Sequence, residues 1–199
     1  MEQPTQPARE RVREAALELF ATRGYHGTGI RQLAEHAGVG SATLYHYMGT
    51  KEDLLAAIMR ECLEDLLDRA REVVARHDAP LERFDALVRL HVRTHALSPR
   101  ETRVVDGEID ALGPEARRGI VALRDAYEAL WAEAIGAAVA LGDDPATGSA
   151  AAVAPDLARR ALLEMCSGVA RWYRVGGPTG LDELADRYAA MARGLLGAV

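Results

Sequence analysis

His91 and His95 stand four residues apart in H-V-R-T-H, which sets two imidazoles on one helical face at a spacing that can hold zinc. A third ligand is not obvious, since Glu108 or Asp110 would serve only if the chain folded back to the pair. The same spacing suits two pocket histidines whose ring nitrogens are satisfied internally, and no metal is assigned. The carboxylate pairs Glu82/Asp85 and Glu61/Asp65 read as solvated helix faces. The sequence has no G-x-S-x-G elbow, G-x-G-x-x-G loop or H-E-x-x-H helix, and its one lysine follows Thr50 rather than the glycine of a P-loop. No catalytic residue and no cofactor is expected, and the chain does not read as an enzyme.

A second set of polar side chains lies between residues 28 and 51. Ser41, Thr43 and His46 carry hydroxyls and an imidazole that can exchange hydrogen bonds with base edges in a major groove. Thr28, Tyr45, Tyr47 and Lys51 offer donors suited to phosphate oxygens, contacts that position without specifying. Gly40 would let the backbone approach a ligand closely.

These residues need short helices to present them. T-G-I-R-Q-L-A-E-H-A-G-V-G-S-A-T-L-Y-H-Y-M-G-T-K reads as two helices, about 28–36 and 40–47, joined by a tight turn. Ala34 permits close approach, Gly38 suits a turn with positive φ, and Val39 and Leu44 bury the second helix against Ile30 and Leu33. Upstream, Val12, Ala15, Ala16, Leu19 and Phe20 form one apolar face of a helix over 8–23. Pro7 suits its start and Gly24 its end. Thr28 is expected to N-cap the second helix. Thr50-Lys51-Glu52-Asp53 is a capping box opening a helix that runs to about residue 76. A lysine just inside a helix N-terminus opposes the local dipole, and a docked phosphate would justify it. The layout is that of a helix-turn-helix DNA reader.

Composition agrees with an all-α chain. The 199 residues are 49% hydrophobic and 27% charged, rich in Ala, Leu, Arg and Glu and poor in β-branched runs. The two cysteines, Cys62 and Cys166, form no disulfide framework, and a reducing cytoplasm fits. M-E-Q-P-T-Q-P lacks the features of a signal peptide, and the uncharged stretches reach only about half of the ~20 residues that span a bilayer. The net charge of −6 argues against a nucleic-acid partner, but its distribution does not. Residues 1–51 hold six basic and five acidic residues, so the acid excess lies in the rest of the chain. Lys51 is the only lysine among 24 Lys and Arg residues, a bias that a genome rich in G and C would produce along with the abundant alanine. So weak a local charge implies modest non-specific binding per subunit, and two copies acting together.

The remaining sequence keeps helical periodicity over about 79–97, from Ser98-Pro99 to Leu112, over 115–141 with a break near Gly119, over 155–175 and over 180–196. A small-residue loop at 142–154 precedes the last pair. Bulky and small residues mixed across these helices favour an apolar cavity for a small molecule. Leu162, Val169, Trp172 and Tyr173 on one of the last two helices, with Leu184, Tyr188, Met191 and Leu195 on the other, form faces suited to a four-helix dimer seam or to burial within one chain.

Residues 13–55, with Phe20, Gly24, Tyr25, Thr28, Ala34, Gly38, Val39, Thr43, Leu44, Tyr45, Tyr47 and Lys51 as their strongest points, closely resemble the N-terminal domain of TetR-family transcriptional regulators. That family often has a basic residue where Ser41 stands, and a Phe where Met48 stands. The first difference shifts readout toward Ser41, Thr43 and His46. The resemblance implies about nine helices, a DNA-binding domain over 1–50 and a ligand-binding and dimerisation domain over 51–199. It implies a cytoplasmic homodimer that represses transcription at a palindromic double-stranded operator until a small effector releases it. R-V-V-D-G-E-I-D-A-L (103–112) and R-W-Y-R-V-G-G-P-T-G-L-D-E-L-A-D (171–186) look like a subgroup governing lipid and steroid catabolism through acyl-CoA thioesters. Phe84, Leu87, His91, His95, Val105, Glu108, Trp131 and Met165 are then the expected effector contacts. The alternatives are an efflux regulator sensing xenobiotics, with Glu108 and Asp110 as anchors, or a helical binding or enzyme domain without DNA binding.

Overall fold

The computed structural model describes residues 7–142 and 154–197. Its helices begin where the sequence supplies a start. α1 (Ala8–Arg23) follows Pro7, whose carbonyl accepts from Arg11 N–H at 3.1 Å. α2 (Ile30–Ala37) ends at Gly38, which takes the left-handed φ of 62° that a β-carbon would strain. α3 spans Ser41–Met48 and α4 spans Lys51–Arg76. The capping box at the head of α4 forms as expected. Thr50 N–H and Oγ1 donate to Asp53 Oδ2 at 2.9 and 2.7 Å, and Asp53 N–H donates back to Thr50 Oγ1 at 3.0 Å. The backbone and hydroxyl bonds from Thr50 hold the Asp53 carboxyl below its ordinary range.

α5 (Pro80–Leu97) and α6 (Pro99–Gly107) each open on proline, which suits a position whose N–H has no helical partner. A single 3₁₀ turn, Ile109–Ala111, leads to α7 (Pro114–Gly142). α7 runs unbroken past Gly119, because a glycine inside a long helix costs propensity without forcing an end. The expected helix over 155–175 is instead α8 (Pro155–Ser167) and a one-turn α9 (Val169–Trp172), parted at Gly168. α10 (Leu181–Leu196) starts from Gly180. With α8 and α9 counted as one bent helix, the described residues form nine α-helices and no strand. The expected loop at 142–154 falls almost wholly outside the described residues.

The helices assemble into two compact units. The first holds the residues up to Glu64 together with Arg100–Leu123. Its core is built from Val12, Leu17, Phe20, Leu33, Leu44 and Leu55, closed by Val104 and Ile120. The second holds Asp65–Pro99 and the chain from Arg124 onward. There, Phe84, Val88, Trp131, Ile135, Leu162 and Ala189 are fully buried. α10 packs along α5, and its Ala185, Ala189 and Ala192 are fully buried. Three ion pairs rule the edge of that seam: Asp85 to Arg193 at 3.3 Å, Arg89 to Asp186 at 2.7 Å, and Arg93 to Asp182 at 2.8 Å.

The capping box makes a direct prediction. Thr50→Ala should lower stability by about 1 kcal/mol, the usual cost of losing an N-cap hydroxyl. The measurement is the urea midpoint at constant m, and an unchanged midpoint would show that the cap contributes nothing.

Candidate functional site

α3 has one face inside and one face outside. Leu44 and Met48 enter the first unit's core, while Ser41, Ala42, Thr43, Tyr45, His46 and Tyr47 are exposed. Two large aromatics on so short a helix would ordinarily be buried, yet Tyr45 and Tyr47 are 53% and 43% exposed. The His46 and Tyr47 rings pack edge to face at 5.1 Å. Gly40 precedes the helix in extended backbone, and a β-carbon there would meet nothing within 4 Å. The fold itself therefore leaves Gly40 free to carry a side chain, and any demand for glycine comes from outside the chain.

Two expected phosphate contacts are placed differently. Thr28 is buried, and Gly29 rather than Thr28 caps α2. The Thr28 hydroxyl donates to Gly24 O at 2.8 Å and its N–H to Tyr25 O at 3.2 Å, so both of its donors are turned inward. Gln32 takes up the capping role, with Oε1 accepting from Gly29 N–H at 3.0 Å. Lys51 reaches back across the start of α4. Its Nζ donates to Tyr25 O and Thr28 O, both at 2.9 Å, and lies 4.1 Å from the centre of the Tyr25 ring. Sequence reasoning passed over Arg31. It is the only Arg or Lys within α2 and α3, its side chain is 91% exposed, and it pairs with Glu35 at 3.0 Å. That composition count was the signal available.

The expected effector residues divide between the units. Val105 packs into the core of the first unit, and Glu108 is part of that unit too, within reach of Gly24. The other six, Phe84, Leu87, His91, His95, Trp131 and Met165, belong to the second. Within it, His91 Nδ1 bonds Tyr127 Oη at 2.8 Å and Nε2 bonds Ser167 Oγ at 3.0 Å. His95 Nδ1 donates to His91 O at 2.8 Å, and the two imidazoles stack at 3.9 Å. Phe84 and Trp131 meet edge to face at 6.3 Å, and the Trp131 ring stands 5.5 Å from His91. With both His91 nitrogens engaged, the pair is arranged as internal hydrogen bonding, and no group of three metal-ligating side chains occurs among the described residues. Tyr127 and Ser167, which complete this centre, come from distant helices and gave no signal in sequence. Burial pushes the Cys166 thiol up to about 12, which leaves it unreactive.

The expected dimer faces are also divided. Leu162, Val169 and Leu184 are buried within the protomer, since α8, α9 and α10 all pack on α5. Trp172 and Met191 remain 52% and 49% exposed, and Tyr173, Tyr188 and Leu195 are half-buried. Leu157 and Val175, not expected from the pattern, are exposed as well.

Burial, and then the neighbouring His95, hold His91 well below its ordinary pKa of 6.5. The unfolded chain accepts a proton near pH 6.5 that the native His91 refuses. This contribution to stability is complete above pH 6.5 and falls as the pH drops from there toward the native value. The slope is at most about 1.4 kcal/mol per pH unit. Thermal melts of His91→Gln should lose stability less steeply than the wild type on acidification. Parallel profiles would rule His91 out as the titrating group.

The comparisons with known proteins cover nearly the whole chain. A family model described as bacterial regulatory proteins, tetR family, matches residues 12–58, and one described as the tetracyclin repressor-like C-terminal domain matches residues 77–196. The HTH-type transcriptional repressor KstR2 of Mycolicibacterium smegmatis is 27% identical over 196 residues, 96% of this chain and 92% of its own. The structure of the ketosteroid transcriptional regulator KstR2 of Mycobacterium tuberculosis aligns with a TM-score of 0.83 at 25% identity, covering 96% of this chain and 95% of its own. The structure of AibR in complex with isovaleryl coenzyme A and operator DNA aligns with a TM-score of 0.78 at 25% identity, covering 97% of this chain and all of its own. These families and relatives are transcriptional regulators, not enzymes.

Proposed function

The chain belongs to the TetR family of bacterial regulatory proteins, and we propose that it is a cytoplasmic, homodimeric repressor whose α2 and α3 engage a palindromic operator. The observation that carries this reading is the polar outer face of α3, held out by Leu44 and Met48 within the 12–58 match. Ser41, Thr43 and His46 read base edges, Tyr45 and Tyr47 meet phosphates, and the Gly40 backbone approaches the DNA. Functionally, residues 1–50 read DNA and residues 51–199 bind effector and partner. Trp172, Met191 and the half-buried Tyr173, Tyr188 and Leu195 supply the apolar surface that a second copy covers. No helix among the described residues is long and apolar enough to cross a membrane.

The effector is a largely apolar, lipid-derived molecule, an acyl-CoA thioester or another lipid-derived acid. The second unit supports this with Phe84, Leu87, Trp131 and Met165 beside hydrogen-bonding groups, and the related AibR was solved with isovaleryl coenzyme A, itself a CoA thioester. Release follows if the effector binds better to a conformer whose two recognition helices are wrongly spaced for the operator.

A footprint on palindromes beside the protein's own gene should show protection of two half-sites about one helical turn apart. Absence of protection at low salt would sink the reading. Thr43→Ala should weaken operator binding about tenfold, with loss of discrimination at one base position. Effector should raise the dimer's apparent stability by about 2.7 kcal/mol at a hundredfold excess over Kd. A thermal-shift panel of CoA thioesters, with operator release as the second readout, tests this. Stabilisation by cationic drugs alone would replace the lipid assignment with a xenobiotic one.

A further inference from the structure

Several basic side chains of the first unit are directed at backbone carbonyls. Arg11 Nε donates to Ala37 O, at the last residue of α2, at 3.1 Å. Arg103 Nη1 donates to Ala21 O, in the last turn of α1, at 3.1 Å. Lys51 Nζ holds Tyr25 O and Thr28 O in the segment between those helices. All three act at places where helix ends leave carbonyls unpaired and the local dipole is negative. Two more arginines of α1 face carboxylates: Arg13 Nε meets Glu61 at 2.9 Å, and Arg9 lies 3.7 Å from the same residue.

Arg31 differs. Its partner Glu35 is one turn along the same helix, and the side chains are 91% and 65% exposed. An exposed pair of this kind is weak and yields readily to a phosphate. Lys51 has no such freedom. Moving it would leave the partly buried Thr28 O without this donor, leave Tyr25 O with only the Thr28 N–H at 3.2 Å, and uncover the Tyr25 ring face.

We propose that α2 and α3 of this chain meet DNA phosphates with Arg31 as their one mobile cation, while Lys51 and Arg11 are positioning residues that act through the backbone before and at the end of α2. The remaining contacts to the backbone of the duplex come from neutral hydroxyl donors, Tyr45 and Tyr47 among them. This rests on the operator-binding function proposed above. Its consequence is a shallow salt dependence, because only cations that neutralise phosphates release counterions. One such cation per subunit gives a dimer a slope of log K against log salt of about −2, and Arg23, exposed at the end of α1, would bring it to about −4.

The test is fluorescence anisotropy of the full-length protein on the footprinted duplex over a series of KCl concentrations. The wild-type slope should fall between about −2 and −4, and Arg31→Gln should flatten it by about two units per dimer. Arg31→Lys should restore it. Lys51→Met should lower affinity at every salt concentration with the slope unchanged, a result that loss of a phosphate contact would not give. A wild-type slope steeper than about −6, or a Lys51→Met slope flattened by about two, would overturn the proposal. Should Lys51→Met fail to fold, the wild-type slope and the Arg31 pair decide. An absence of binding at the lowest salt would overturn the operator reading itself, an outcome distinct from a steep slope.

Discussion

One ammonium group ties the segment that leads into the first unit's second helix to the start of its fourth. Lys51 sits in the first turn of α4, where a cation opposes the helix dipole, and that cost is offset by two carbonyls and an aromatic face from the α1–α2 connection. The connection must reverse the chain in a few residues, and it leaves carbonyl oxygens without helical partners. Thr28 turns its hydroxyl inward in the same segment. Together these bonds hold the segment from which α2 starts; the left-handed turn at Gly38 and the burial of Leu44 and Met48 then set α3, with Tyr45 and Tyr47 outside. The capping box beside Lys51 holds its backbone in place, so the clamp and the cap form one rigid corner.

Much of this was legible in sequence. The start and end of α1, the left-handed Gly38, the Thr50–Asp53 box and the length of α4 all follow from local rules that act within one or two turns. Buried Leu33, Ala34 and Leu44 follow from helical period. What local rules could not supply depends on contacts between segments. Thr28 is a good N-cap residue in isolation, but Gly29 and Gln32 take that role once Thr28 is drawn into the core. Lys51 was expected to hold a phosphate, and the carbonyls that its Nζ meets lie 23 and 26 positions upstream, beyond the reach of local rules. Val105 and Glu108 were expected effector contacts together with His91, and they belong to the first unit while His91 belongs to the second. Leu162, Val169 and Leu184 had the periodicity of an interface, and periodicity does not say which chain supplies the other side.

In the second unit α5 carries two kinds of contact. One face holds Phe84, Leu87, His91 and His95, and its edge holds Asp85, Arg89 and Arg93. The ion pairs from that edge to α10 run in opposite chain directions, 85 with 193, 89 with 186 and 93 with 182, as an antiparallel pair requires. Partly exposed pairs contribute little energy each. Their signs, one acid then two bases along α5 against one base then two acids on α10, match one register, and a slide of one turn would set Asp85 opposite Ala189 or Gly197 in place of Arg193. The alanines along the seam permit closeness, and the charges choose among the close packings.

The bonds from Tyr127 through His91 to Ser167 join α7, α5 and α8. A neutral imidazole has one nitrogen that donates and one that accepts, while each hydroxyl can do either. Either tautomer therefore satisfies the row without moving a heavy atom. The row as a whole has only two polarities, and whichever group reverses at one end must reverse at the other. An acceptor brought against the Tyr127 hydroxyl would draw its proton outward, place the remaining imidazole proton on Nδ1, and leave Ser167 as the donor to Nε2. A change in the sense of hydrogen bonding on one helix is thereby delivered to another as a change in what its hydroxyl can offer, with the carbon skeleton of the core standing still.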